Sequence, residues 1–170
     1  MFGKVKSMRE LFGIELSYAY DCEQKLVEKG LPKMIQNASS TELRTAVENH
    51  LQETRTHVSR LQRVFSSVGM ESDTKSNDIL DEMTTAADDS ISNIDPSPLR
   101  HAALIVNANL VEHYEIATYG SLASFARHLG LQDAASLLEE TLNEEKKADA
   151  KLTQIGETVL NPQAARRQTA

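Results

Sequence analysis

Apolar side chains recur at steps of three and four residues in four long segments of the chain. Such spacing places apolar residues on one face of an α-helix. It predicts helices over about 8–36, 40–68, 98–128 and 132–159. Pro32 falls inside the first segment and predicts either a bend or a restart of that helix, because proline lacks an amide hydrogen.

The breaks between these segments differ in length. The first, at 37–40, and the third, beside Gly130, are short enough for tight turns. The second spans about 70–97, and its sparse apolar residues predict a short amphipathic helix over about 76–93. Two helical hairpins joined by a long crossover define a ferritin-like four-helix bundle. We therefore predict an all-α protein with this bundle over 1–160 and a flexible tail over 161–170.

Composition and charge narrow the class of protein. The chain has 170 residues, a formal net charge of -7 and one cysteine. This length suits a single domain, and the acidic balance disfavours nucleic-acid binding, which needs basic side chains that neutralise phosphates. The sequence has no apolar run long enough to span a membrane and no pattern of a secretory leader. These features predict a cytoplasmic protein without membrane or nucleic-acid partners.

Two glutamates interrupt one of the most apolar segments. Glu112 and Glu115 follow the same steps as Leu104, Ala108 and Leu122, so a helix places both carboxylates on or beside its apolar face. An unpaired buried carboxylate is costly, so a cation or a proton must compensate. A metal ion would account for both residues, and a buried Arg or Lys partner is the alternative for Glu115.

Three further glutamates could reach the same place. Glu23 and Glu53 are equidistant from the predicted turn at 38, and Glu112 and Glu144 are equidistant from position 128. Residues equidistant from a hairpin turn lie at the same height on antiparallel helices. In addition, residues 51–61 align without gaps on 142–152 and match Glu53 to Glu144. If the two hairpins pack through their apolar faces, all four carboxylates converge, and such oxygen ligands suit iron, manganese or magnesium.

Histidines near these glutamates offer nitrogen ligands. His50 shares a helix face with Glu53, so it could bind a metal, bond to a ligand or be a satisfied core residue. His57 lies four residues after Glu53 and could also contribute. His113 is turned about 100° from Glu112 and is expected to pack or to support the site from outside. The predicted metal ligands are Glu23, Glu53, Glu112, Glu115, Glu144 and His50.

Five short motifs, taken in order, carry a resemblance to a known family. They are Tyr20-x-x-Glu23-x-x-Leu26, Leu31-Pro-Lys-Met34, His50-Leu-x-Glu-Thr54, Val111-Glu-His-Tyr-Glu-Ile-Ala-x-Tyr-Gly120 and Thr141-Leu-x-Glu-Glu-Lys146-x-x-Asp149. Over about 8–160 the chain resembles the bacterial ferritin-like stress proteins of the YciE/YciF type. The fourth motif is the most specific of the five.

The resemblance implies a carboxylate site for two iron ions, alternatively manganese, in a homodimer with a role in stress. By the same analogy the site reacts with oxygen or peroxide, with Glu53 and Glu144 as bridging ligands. The wider superfamily has a histidine three residues after each of these glutamates, where this chain has Thr56 and Lys147. The alternatives are an iron-binding protein or a stress-response interaction protein, both without turnover.

Overall fold

The computed structural model describes residues 4–166, and every regular element within them is helical. The helices are α1 (Met8–Lys25), α2 (Leu31–Asn37), α3 (Thr41–Ser67), α4 (Asp78–Asn93), α5 (Pro98–His128), α6 (Gln132–Ile155) and α7 (Asn161–Arg166). The prediction of an all-α chain is confirmed.

The long helices α1, α3, α5 and α6 form a four-helix bundle. Both α1 and α6 pack against α3 and α5. Leu43 near the start of α3 and Leu104 near the start of α5 belong to one apolar cluster, so these two helices begin at the same end of the bundle. The chain between them must run the length of the bundle, and α4 does so while packing against α5. This is the ferritin-like connectivity that the sequence predicts.

Tight turns close both hairpins. Ser40 precedes α3, and its hydroxyl oxygen accepts a hydrogen bond from the backbone N–H of Leu43. After α5, Gly130 adopts a φ of 74°, and the amide of Leu131 donates to the carbonyl of Ala126 at 2.9 Å. A left-handed residue of this kind ends many helices, and glycine adopts it without strain.

Two prolines inside the helical segments each follow a π-helical turn. The turns span Leu26–Gly30 and Gly156–Leu160, and the amide after each turn bonds to a carbonyl five residues back. Pro32 and Pro162 come two residues after these turns. A π-helical turn shifts the hydrogen-bond register, so the missing N–H of proline does not end the helix. The chain therefore remains helical through Pro32, from Met8 to Asn37.

The second π-helical turn makes the end of the chain differ from the predicted tail. Asn161–Arg166 forms α7, which packs against α5. Leu160, the last residue of the π-helical turn before this helix, is fully buried and joins the core. The tail predicted over 161–170 is thus helical up to Arg166, and its last residues lie outside the described part of the chain.

The core consists of two apolar clusters, one towards each end of the bundle. Phe12, Leu61, Phe65, Leu122 and Leu138 belong to the cluster beside Gly130. The cluster at the other end contains Leu26, Leu31, Leu43, Leu104, Leu152 and Leu160. The middle of the bundle lies between them and is polar.

Candidate metal centre

Buried carboxylates and imidazoles fill the middle of the bundle. Every long helix contributes, and the residues are Glu23 from α1, His50 and His57 from α3, Glu112 and Glu115 from α5, and Glu145 from α6. Glu23, His57 and Glu145 have no exposed surface. Charged groups so deeply buried require compensating partners.

Four of these residues form a first cluster. One ligand atom each from His50, Glu112, Glu115 and Glu145 lies within 4.8 Å of all the others. Nε2 of His50 is 3.2 Å from Oε1 of Glu112 and 3.9 Å from Oε2 of Glu145. The set contains one nitrogen and three carboxylates, a combination that suits iron, manganese or zinc.

A second cluster shares Glu145 with the first. It consists of Glu23, His57 and Glu145, again with ligand atoms mutually within 4.8 Å. Nδ1 of His57 lies 2.9 Å from Oε1 of Glu145 and 3.4 Å from Oε1 of Glu23. Because its two carboxylate oxygens face different clusters, Glu145 lies between two neighbouring groups of ligands.

Many polar atoms of these buried residues, which together form a polar layer at the middle of the bundle, have no hydrogen-bond partner. They are Oε2 of Glu23, Glu112 and Glu115, both carboxylate oxygens of Glu145, and Nδ1 of His50 and His57. Native structures leave few buried polar atoms unpaired. The concentration of such atoms at one place, all of them metal-ligand types, fits a site for metal ions.

The proximity of the carboxylates shifts the protonation of the layer. Burial alone would lower the pKa of His57, but the carboxylates of Glu145 and Glu23 close to Nδ1 outweigh burial and raise the pKa to about 10. Burial is likewise overcome at His50, where Glu112 raises the pKa well above its ordinary value. Burial, reinforced by Glu145 and other carboxylates, raises the pKa of Glu115 well above its usual range. Without metal, protons take the place of cations in this layer.

The structure does not bring Glu53 and Glu144 into either cluster. Glu53 has 52% of its side chain exposed, and its Oε2 lies 3.6 Å from Nδ1 of His50. Glu144 pairs with Arg60 at 2.7 Å and lies 2.9 Å from Nε2 of His57. Both carboxylates therefore lie behind a histidine, on the side facing away from the clusters. A carboxylate in that position commonly orients a metal-ligating histidine.

The helix faces explain this placement. The buried face of α6 includes Leu138, Thr141, Glu145 and Leu152, and Glu144 lies about 100° around the helix from Glu145. On α3 the buried face includes His50, Thr54 and His57, and Glu53 is displaced from it. In the sequence, Glu145 and His57 can be recognised as inward-facing because each lies three, four or seven residues from other members of the buried face of its helix.

Other predicted residues fall around the centre. Of the predicted ligands, Glu23, Glu112, Glu115 and His50 lie in the two clusters. Thr56 and Lys147, at the positions where the superfamily has histidines, are exposed. His113 is exposed as well and lies 3.1 Å from Oδ1 of Asp149 on the outer surface.

Two side chains contact the clusters from behind. The hydroxyl of Tyr119, which is buried, donates a hydrogen bond to Oε1 of Glu23. The Cys22 thiol lies 3.8 Å from Oε1 of Glu115, and burial followed by the nearby carboxylates raises its pKa well above the ordinary value. These contacts hold Glu23 and Glu115 in place and keep the thiol protonated.

The fold and the buried polar residues at its middle define a ferritin-like helical bundle. A centre of carboxylates and histidines lies between its two hairpins. The chain belongs to the family called domain of unknown function DUF892, whose profile matches residues 7–165. It is 37% identical over 164 residues to protein YciF of Escherichia coli strain K12, covering 94% of this chain and 96% of YciF.

Solved structures show the same relationship. The crystal structure of the E. coli stress protein YciF matches with a TM-score of 0.88 and 35% identity, covering 92% of this chain and 99% of that one. YcfI of Rhodopseudomonas palustris matches with a TM-score of 0.85 and 37% identity, covering 90% and 98%. In the described part of the chain no helix is long and apolar enough to cross a membrane.

Proposed function

We propose that this protein binds two divalent metal ions, iron or alternatively manganese, and reacts with oxygen or peroxide in a stress response. The observation that carries the proposal is the pair of ligand clusters that share Glu145. The stress role draws on the description of E. coli YciF as a stress protein.

The ligand set divides into two parts. Glu23 and His57 would hold one ion, while His50, Glu112 and Glu115 would hold the other, with Glu145 common to both. Four buried carboxylates balance two divalent cations when both imidazoles are neutral. This balance would replace the protons that the metal-free layer holds, so metal affinity should fall at low pH.

When bound, two ferrous ions would supply the two electrons that reduce hydrogen peroxide, with two protons, to two molecules of water. The chain's own residues prepare the site for this chemistry. Glu144 accepts from Nε2 of His57 and thereby leaves Nδ1 free to face Glu145 and Glu23. The Tyr119 hydroxyl holds a proton at Glu23. The apolar clusters on both sides shield Glu23, His57 and Glu145, which have no exposed surface.

Metal content per chain tests the proposal. We expect about two iron or manganese ions per chain, by elemental analysis of protein expressed with both metals supplied. Glu145→Gln should remove at least half of them, because this residue belongs to both clusters. Glu139→Gln is the matched control, since it changes a partly exposed carboxylate of the same helix that pairs with Arg127 outside the clusters, and it should retain the metal.

Peroxide consumption separates the alternatives. Protein loaded with ferrous ions should consume one peroxide per pair of ions, and Glu145→Gln should not. Metal binding without peroxide or oxygen consumption would instead indicate an iron-binding protein without turnover. Wild-type protein that takes up no metal would overturn the proposal and favour an interaction protein. The homodimer, the cytoplasmic location and the absence of a nucleic-acid partner stay predictions.

A further inference from the structure

An apolar pocket of about 500 Å³ leads from the surface to the metal centre. It lies between α2, α4 and α5, and its walls include Leu26, Met34, Met83, Ala87, Ile91 and Val111. Two residues of the first ligand cluster, His50 and Glu112, also line it. Its volume is within the range of roughly 300 to 1,000 Å³ that is usual for small-molecule sites.

The crossover helix α4 forms the outer wall of this pocket. Leu80 anchors the helix because it is fully buried. Lys33 and Asp88, both partly exposed at the rim, form an ion pair of 2.5 Å. Asn107 on α5 donates to the Ser90 hydroxyl at 2.9 Å. The wall is therefore attached at several points, so the pocket is a built part of the fold.

The polar atoms at the buried side determine what head group fits there. Oε2 of Glu112 has no hydrogen-bond partner, and Nε2 of His50 lies 3.2 Å from Oε1 of the same carboxylate. Glu115 and Glu145 lie in the same cluster, so an anionic head group would meet several carboxylates. A neutral oxygen group that donates and accepts hydrogen bonds suits the position better. The rest of the pocket suits a hydrocarbon chain.

We propose that this pocket binds the alkyl chain of an organic hydroperoxide and presents the peroxide group to His50 and Glu112. The inference rests on the proposed function and names its substrate class. Reduction would break the O–O bond of ROOH, consume two electrons from the ferrous ions and two protons, and release ROH and water. The alcohol product has the same chain and a neutral head, so it should bind the same pocket.

A second opening reaches the same two residues from another side. This pocket has a volume of about 360 Å³, and Glu53, Lys147 and Lys151 line it together with His50 and Glu112. No residue of α4 lines this second pocket, so it stays open to hydrogen peroxide when the apolar pocket is filled from α4. A substitution that fills the apolar pocket should therefore affect organic hydroperoxides more than hydrogen peroxide.

Binding of 1-octanol to metal-free protein tests the pocket without any turnover. With 13C-methyl methionine labels, the resonances of Met34 and Met83 should shift saturably, because both side chains line the apolar pocket. Met8 and Met70 lie outside it and serve as internal controls. Octanoate should bind at least tenfold more weakly than 1-octanol. No saturable shift at Met34 and Met83, or equal binding of octanoate, would overturn the inference.

A pair of adjacent substitutions on α4 gives a second test. Ala87 lines the pocket, whereas its neighbour Ala86 is exposed and does not. Ala87→Phe should weaken 1-octanol binding at least tenfold, and Ala86→Phe should leave it within twofold. Unchanged binding by folded Ala87→Phe would overturn the assignment. If Ala87→Phe does not fold, the methionine shifts of the wild type still show whether 1-octanol binds in the pocket.

Metal-loaded protein distinguishes failure of this inference from failure of the proposed function. Ala87→Phe should slow consumption of octyl hydroperoxide about tenfold and leave that of hydrogen peroxide within twofold. Equal loss with both peroxides would overturn the assignment of the pocket to the organic group. If the wild type binds metal and consumes hydrogen peroxide but does not bind 1-octanol, the assignment of the pocket is wrong and the proposed function still stands.

Discussion

Nδ1 of His57 lies 2.9 Å from Oε1 of Glu145, while Nε2 of the same ring lies 2.9 Å from Oε2 of Glu144. Two glutamates adjacent in sequence therefore contact opposite sides of one imidazole. Glu145 faces the ligand clusters, and Glu144 holds the ring together with Arg60. In the proposed site, Glu145 would bind the metal ions and Glu144 would orient the histidine.

Replacing Glu115 by glutamine should stabilise the metal-free protein. Burial and the neighbouring carboxylates raise the pKa of Glu115, so folding requires it to take up a proton, and a neutral amide of similar shape avoids that cost. We expect the free energy of unfolding to rise by about 1 kcal/mol, as in other trade-offs between stability and function. Urea unfolding in a chelator measures the change.

The exposed Glu48 of α3 provides the control for this substitution. Glu48→Gln should alter the free energy of unfolding by less than about 0.5 kcal/mol. A loss of stability in Glu115→Gln would show that its carboxylate stabilises the metal-free fold, contrary to our account of the site.

Removing the Tyr119 hydroxyl should destabilise the metal-free protein. Tyr119→Phe leaves Oε1 of the buried Glu23 without its donor. Hydrogen bonds to charged groups contribute about 1.5 to 3 kcal/mol, so a loss of this size is expected in urea unfolding. Tyr20→Phe is the matched control, since the Tyr20 hydroxyl accepts only from the exposed Gln62 and should contribute about 0.5 kcal/mol. Equal losses in the two variants would contradict the special role of Tyr119.

His101, far from the metal centre, should make stability fall in mild acid. Its Nε2 accepts from the backbone N–H of Ser39 at 3.1 Å, and protonation would abolish that bond. Burial, followed by the charge of Arg100, lowers the pKa of His101. The unfolded chain therefore takes up a proton at higher pH than the folded one. This contribution is fully present above about pH 6.5 and is lost as the pH falls through the folded pKa.

Urea unfolding of metal-free protein between pH 7.5 and 5 measures this effect. The wild type should lose more stability towards low pH than His101→Gln does, because the variant lacks the titrating ring. His128→Gln removes an exposed histidine and should follow the wild type. Parallel curves for the wild type and His101→Gln would refute the prediction.

Helix periodicity predicts most of the fold because each long helix buries one continuous apolar face. The turns at 38 and Gly130 follow from the breaks in that pattern, and so does the crossover helix. The continuation beyond Pro162 was not predictable in the same way. A local rule treats proline as a helix breaker, whereas a π-helical turn before it changes the hydrogen-bond register and buried Leu160 anchors the chain.

The site was predictable at the level of its helices and less so at the level of single residues. Equidistance from a turn defines height along the bundle but not direction around the helix, so it does not separate Glu144 from Glu145. The direction follows from the apolar face, on which Glu145 lies with Thr141 and Leu152. His57 is found by the same criterion, since it lies seven residues after His50 on the buried face of α3.

The most direct test of the central claim is anomalous X-ray diffraction from crystals loaded with iron. Our account predicts two iron peaks between the hairpins, one beside Glu23 and His57 and the other beside His50, Glu112 and Glu115. Glu145 should contact both ions. A single peak, no peak, or two ions held by Glu144 in place of Glu145 would contradict the account.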